Sequence, residues 1–236
     1  RQASAVGVRI VHTNDLHGTL TADLADCLHD FRGEQCLLFD TGDCIRAGNL
    51  AIPFKPEEAW SLLARAGCDC GTLGNRESHV LEAPFRKKLE GLAHPIVCAN
   101  LSRKDGQQVF PSSLILKRCG IRIGVIGAMV PMVTRRMAAA TASAFLWDAP
   151  IPSLCAAAEE TRPQVDLLIA LTHIGHRHDL ELAQACPVID VVLGGHSHTV
   201  LVHPEKVGRT WVCQGGSHAR FVGVYEWEEG GLSGRL

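Results

Sequence analysis

The stretch Cys36-Leu37-Leu38-Phe39-Asp40-Thr41-Gly42-Asp43 decides the fold class. Four apolar residues make a short buried strand, and a polar turn containing a glycine follows it. A buried strand that carries a carboxylate to its C-terminal tip is how α/β sheets place functional groups. Asp43 is therefore a candidate ligand on which other polar strand ends can converge.

The same pattern recurs on both sides of this stretch. Upstream, Val6 to His12 reads as a strand that runs into Thr13-Asn14-Asp15-Leu16-His17-Gly18. Downstream, Cys68 to Leu73 leads to Gly74-Asn75-Arg76-Glu77-Ser78-His79. Val165 to Leu171 leads to Thr172-His173-Ile174-Gly175-His176, and Val188 to Leu193 leads to Gly194-Gly195-His196-Ser197-His198. Further strands are expected at Pro95 to Ala99, Leu114 to Lys117, Ile121 to Ile126, Thr210 to Cys213 and Phe221 to Trp227. Lys104-Asp105-Gly106-Gln107 carries a hairpin-like turn signal.

Between the strands, apolar residues at helical spacing predict helices over Ala22 to Phe31, Pro56 to Ala66, Ala83 to Leu89 and Pro152 to Glu160. Another runs to Ala185 from Asp179, read as its N-cap. Met129 to Trp147 shows no periodicity that places it. Strands alternating with helices, without a repeat or a linker, define one α/β domain.

Seven ligand-type residues thus lie at five strand ends: Asp15, His17, Asp43, Asn75, His173, His196 and His198. Carboxylate, imidazole and amide together suit first-row cations such as Mn, Zn or Fe. Neighbouring glycines let the backbone approach closely. Each motif alone is weak, because a histidine at a strand end is commonly a hydrogen-bonded loop residue. Two histidines one residue apart in Gly-Gly-His-Ser-His are more specific, and the ordered set is strong.

Asp15-Leu16-His17, Gly42-Asp43, Gly74-Asn75, Thr172-His173 and Gly195-His196-Ser197-His198 resemble, in order and strand context, the calcineurin-like metallophosphoesterases. Thr13 to Gly18 and Gln214-Gly215-Gly216-Ser217-His218 are similar to the 5′-nucleotidase branch. The resemblance covers about Val8 to Val224. It implies a four-layer αββα sandwich of two mixed β-sheets, with a site for two divalent cations at the strand ends. By residue match, Asp15, His17, Asp43 and His198 would hold one cation. Asp43, Asn75, His173 and His196 would hold the other, with Asp43 shared. Such a pair activates a bridging hydroxide and neutralises charge on a phosphate ester.

The sequence departs from that pattern just after Asn75. The family's catalytic histidine is replaced by Arg76, and the aspartate that pairs with it in the nucleotidase branch is replaced by His79. A guanidinium, with a pKa above about 12, is no useful proton donor, but it holds phosphate oxygens bidentately. Arg76 is accordingly assigned to transition-state charge, against the plainer reading that it pairs with a carboxylate such as Glu77. His79 is a candidate for the proton role, and His176, His178 and His218 are further candidates in the site loops. Asn100 is either a substrate contact or a turn residue. Arg135-Arg136 reads as a solvated basic pair, the four tryptophans as packing, His12 as a sheet residue and Asp40 as a partner of its own loop.

Composition bounds the rest. The chain has 236 residues, 46% hydrophobic and 20% charged, with a formal net charge of −2. That balance gives no electrostatic case for nucleic acid or an anionic membrane. No apolar run reaches the ~20 residues of a membrane helix. Ten cysteines, none in a C-x-x-C pair, read as free and mostly buried thiols, hence a reducing, cytoplasmic setting. Arg1-Gln2-Ala3-Ser4 does not look like a signal peptide, and residues 1–5 are expected to be a flexible N-terminus to a single domain over 1–236. The family's C-terminal, nucleobase-stacking domain is expected to be absent.

The expected activity is hydrolysis of a phosphorylated small molecule, nucleotides among them. Two other readings stay open: a metal-binding module impaired by Arg76 and His79, and a phosphodiesterase or polyphosphate hydrolase.

Overall fold

A computed structural model describes residues 7–228 and 231–236; the expectation for residues 1–5 falls outside them. In chain order the elements are β1 (Val8–Thr13), α1 (Ala22–Arg32), β2 (Cys36–Asp40), α2 (Glu58–Ala66), β3 (Cys70–Gly71), α3 (Glu82–Lys88), β4 (Leu101–Arg103), β5 (Ser113–Arg118) and β6 (Ile121–Met129). Then come β7 (Phe145–Trp147), α4 (Pro150–Thr161), β8 (Leu167–His173), α5 (His176–Ala185), β9 (Val191–Leu193), β10 (Glu205–Val207), β11 (Thr210–Cys213), β12 (Gly223–Glu228) and β13 (Gly231–Arg235).

Two mixed sheets carry the fold. One has the order β13-β12-β1-β2-β3, parallel from β1 through β3 and antiparallel at β12 and β13. The other has the order β10-β11-β9-β8-β6-β5, parallel from β11 to β6 and antiparallel at both edges. Val8, Ile10, Leu37 and Phe39 of the first sheet meet Ile123, Val125, Leu167, Ile169 and Leu171 of the second in one core.

Each sheet's other face is covered by helices. Val11 and Leu38 pack on α1 and α2 through Leu28, Ala59 and Leu63, and Ile126, Leu168 and Val192 pack on α4 and α5 through Leu154, Ala158 and Leu182. The result is the αββα order. Because β2 and β8 are covered on both faces, every residue in them is buried, so they read as apolar runs, not as alternation.

Local chemistry sets the helix ends. Thr21 caps α1 by accepting the Leu24 N–H at 3.2 Å, and Gly67 closes α2 in the left-handed region at φ 79°. Asp179 corrects the expected cap of α5. The helix starts at His176 after Gly175, and Asp179 lies buried in its first turn, where it accepts the Thr172 hydroxyl at 2.6 Å. Burial pushes its carboxyl well above the usual carboxylate range.

Pro95 to Ala99 makes only an isolated bridge, Gly71 to Ile96, where a strand was expected. The unplaced stretch supplies a 3-10 turn at Ala138–Thr141 and β7, which pairs with β4 in a separate two-stranded sheet. Among the described residues the cysteines are free, with Cys36, Cys44, Cys70, Cys98, Cys186 and Cys213 buried and Cys27 exposed. No helix among those residues is long and apolar enough to cross a membrane.

Candidate metal centre

The C-terminal tips of β1, β2, β8 and β9 face a common point. Beyond β1 and β2 the parallel ladder continues through the loops. Asp15 N–H donates to Gly42 O at 2.9 Å, His17 N–H to Asp43 O at 2.8 Å and Gly18 N–H to Cys44 O at 2.8 Å. Asp15, His17 and Asp43 sit in this ladder with positive φ, between 50° and 53°. His196 and His198 also have positive φ, at 76° and 55°. A non-glycine residue in that region costs about 1–2 kcal/mol. Five candidate ligands held this way are strain concentrated at one place, as functional sites show.

The next loop is stitched to this ladder by a buried acid. Glu77, fully buried, accepts the N–H groups of Asp43 and Gly74 at 2.8 Å each and of Ile45 at 3.2 Å. Glu77 is thereby unavailable to Arg76, which corrects the plainer reading of that arginine. The Arg76 N–H instead donates to Asp43 Oδ1 at 2.8 Å, and its guanidinium to the Arg46 carbonyl at 3.1 Å. The loops touch through glycine: a Cβ on Gly42 would overlap Gly74, and a Cβ on Gly74 would overlap the Asp43 carboxylate. Asn75 donates its amide to Asn49 Oδ1 at 2.8 Å, which aims its own Oδ1 at His196 Nδ1, 3.0 Å away.

His173 closes the centre. Its Nδ1–H donates to Thr41 O at 2.7 Å, leaving Nε2 3.5 Å from Asp43 Oδ1 and 4.0 Å from Asp15 Oδ1. His198 Nε2 lies 3.2 Å from Asp15 Oδ1 and 3.0 Å from His17 Nε2. Two groups have ligand atoms mutually within 4.8 Å: Asp15, His17 and His198, and Asp15, Asp43 and His173. Asp15 is common to both; the sequence motif assigned the shared place to Asp43. The second oxygen of Asp15 is fixed by the Asn14 amide at 2.7 Å and the His196 N–H at 2.9 Å.

These residues fit cations. Asp15 Oδ1 and His173 Nε2 are buried without a hydrogen-bond partner among the described residues. The ring nitrogens of His17 and His198 point at one another, which is satisfied only by a proton or a cation between them. Burial pushes the His173 imidazole down, but the negative charge of Asp43, 3.5 Å from Nε2, with that of Asp15, outweighs it and holds it up at about 9. The pocket thus takes a proton where it lacks another positive charge. Burial and the Arg76 charge drop His17 to about 4, and burial and His173 lower His196, so both rings are suited to bind a cation in the neutral form.

Other expected site residues are placed elsewhere. His79 is buried and its Nδ1 accepts the Leu81 N–H at 3.0 Å at the entry to α3, apart from the ligand cluster. Asn100 is fully buried and consumed by backbone. Its amide donates to Met129 O and Asp148 O and its oxygen accepts the Met129 N–H, so no group is left for a substrate. The His176 ring is taken by Glu205 at 2.8 Å, and His178 Nδ1 bonds the Ile174 carbonyl. His218 alone of these joins the site. It is exposed at the rim, its ring 4.7 Å from His17 and 5.9 Å from His198.

Several supporting residues were missed in the sequence: Glu77 as a stitch, Thr41, Asn14, Asn49, and Gln214, which holds Ser197 and the Thr199 N–H. Each is a common polar residue whose partner is distant in sequence. Only the placement of Glu77, directly after Asn75-Arg76, carried a signal.

The chain belongs to the calcineurin-like phosphoesterase family, which it matches over residues 8–200. Its curated relatives include the uncharacterized metallophosphoesterase YunD of Bacillus subtilis, 26% identical over 93% of this chain and 49% of the relative. A probable 5′-nucleotidase of Treponema pallidum is 25% identical over 96% of this chain and 44% of that protein. The 5′-nucleotidase precursor of Thermus thermophilus superposes with a TM-score of 0.77 at 23% identity, over 96% of this chain and 52% of that one. The resemblance is thus to the 5′-nucleotidase branch, and the chain spans about half the length of these relatives.

Proposed function

We propose that this chain is a metal-dependent hydrolase of phosphate esters that works with two divalent cations. Asp15, His17, Asp43 and His198 hold one, and Asp43, Asn75, His173 and His196 hold the other. Asp43 takes the shared place by match to the family motif; the charges of both Asp43 and Asp15 are felt by His17 and His173. The observation that carries the proposal is the convergence of unpartnered, buried Asp15 Oδ1 and His173 Nε2 among ligand residues held in left-handed backbone. Bound divalent cations acidify water and offset phosphate charge.

The chain's own groups do the rest. Thr41 O keeps His173 in the tautomer that presents Nε2, and Asn49 presents the Asn75 oxygen. Arg76, braced on Arg46 O, lies close enough to lower His17 and offers a guanidinium for the charge that grows on phosphate oxygens. His218, at the rim beside His17 and His198, is the imidazole positioned to touch substrate and protonate a leaving oxygen. The substrate class is a phosphorylated small molecule, and nucleotides enter through the names of the relatives. Free thiols support a reducing compartment.

The test is metal content with hydrolysis of p-nitrophenyl phosphate and its bis-ester. Asp43→Asn is expected to lower turnover at least about 100-fold, the upper range for losing an outer partner of a ligand. Absence of cation uptake, or activity unchanged in Asp43→Asn, refutes the proposal. A second reading, a metal-binding module with impaired turnover, draws on the placement of His79 outside the ligand cluster. Under that reading Arg76→His with His79→Asp raises turnover; a drop instead marks a retuned enzyme.

A further inference from the structure

Lys88, the last residue of α3, is fully buried. Burying an ammonium costs several kcal/mol, and an apolar chain of equal length would fill the same space. Among the described residues no carboxylate lies within ion-pair distance of it; Glu77, Asp43 and Glu57 act on it only from farther off. Its partners are carbonyls. Nζ donates to Gly48 O at 2.8 Å, Asn49 O at 2.9 Å and Arg76 O at 2.6 Å, with Ser78 O at 3.4 Å. Three short bonds use the three donors that an ammonium has.

These carbonyls come from two separate loops. Gly48 and Asn49 follow Asp43, and Arg76 and Ser78 follow Asn75. Asn49 takes the Asn75 amide at 2.8 Å, and the Arg76 N–H donates to Asp43 Oδ1. The ammonium therefore grips the backbone on both sides of the contact that aims Asn75 and of the residue that braces Asp43.

We infer that Lys88 is a positioning residue for the Asn75 and Arg76 side of the centre: it draws two loops onto one ammonium so that the Asn75 oxygen and the Arg76 backbone stay aimed at the cation and at Asp43. The inference rests on the two-cation proposal and concerns the second cation's site only. It touches neither substrate nor reacting atoms; it acts through Asn49, Asn75 and Arg76.

Two variants test it. Lys88→Met keeps length and apolar stem but loses the donors. Asn49→Ala, at an exposed position, removes only the relay to Asn75. The readouts are Mn titration by calorimetry and electron paramagnetic resonance, and amide exchange in the metal-free protein. Wild type is expected to take two equivalents. Lys88→Met is expected to retain one with wild-type affinity and to weaken the other about 10–100-fold, as loss of an outer partner does. Exchange at 75–78 should accelerate while exchange at 15–17 stays as in wild type. Asn49→Ala should weaken the same equivalent, and the double variant should be no weaker than Lys88→Met.

Two equivalents at wild-type affinity in Lys88→Met overturn the inference and leave the two-cation proposal standing. A wild-type protein that takes up no cation overturns both. Should Lys88→Met fail to fold, Asn49→Ala decides: unaltered affinity for both equivalents overturns the relay.

Discussion

The two halves of the centre are built differently. Around Asp15, His17 and His198 the backbone does the placing: the residues are left-handed and a ladder of N–H to carbonyl bonds locks the loops. Around Asn75 and Arg76 the backbone is held by side chains, Glu77 of the same loop and Asn49 and Lys88 from elsewhere. The first half stores strain in the ligands themselves. The second spends buried charge on their supports. Mutations should therefore act on the first half through ligand geometry and on the second through stability and loop position.

The largest effect should break the second half. Glu77→Ala leaves the N–H groups of Asp43, Gly74 and Ile45 unpaired in a buried place, a loss of about 3–5 kcal/mol. Chemical denaturation measures it, and a loss below 1 kcal/mol would show that water substitutes for the carboxylate. Next is Gly74→Ala, whose Cβ must displace the Asp43 carboxylate. A cost of about 1–3 kcal/mol is expected, together with weakened cation binding, read by thermal melts and titration.

A pH effect separates the metal-free from the loaded state. His173 is raised from 6.5 to about 9, so its contribution to stability is complete below 6.5 and is lost as pH rises through 9. The metal-free melting temperature should fall across that window, and Mn should remove most of the decline. A flat profile in the metal-free protein would remove the proton from His173. Cation uptake should also release protons, seen as calorimetric heats that vary with buffer ionisation enthalpy.

The smallest effect sharpens the first half. His218→Gly and Ala219→Gly each relieve positive φ, at 58° and 53°, and should stabilise by about 0.5–1 kcal/mol. Only His218→Gly should lower turnover, because only that side chain reaches the rim. Equal turnover in both would remove His218 from the chemistry.

This asymmetry also explains what was legible in the sequence. Apolar runs such as 36–39 and 167–171, buried on both faces, end at polar tips, so strand ends and candidate ligands could be read in order. Helix interiors followed from periodicity. The supports could not be read, because Asn49 to Asn75 and Lys88 to Gly48 are contacts between ordinary residue types across loops. The same ambiguity misplaced the cap of α5 at Asp179 and left His79 and Asn100 open: acid, imidazole and amide serve helix turns and backbone stitching as readily as ligands. β7 escaped notice because a three-residue strand draws its identity from a partner, β4, more than forty residues away. The charged edge strand β10 and the glycine-rich β13 lack apolar alternation altogether.

Cys44 stands directly after Asp43, a thiol beside the proposed cation-binding loop. Burial and the Glu77 charge push that thiol well up, and burial likewise raises Cys70 and Cys98 to about 12. Such groups stay as S–H, and it is the thiolate that captures soft ions and reacts with peroxide. Next to the proposed cation site, Cys44 is therefore a weak competitor for soft ions. Mild alkylation should find Cys27, on the surface, before buried Cys44 beside the candidate site.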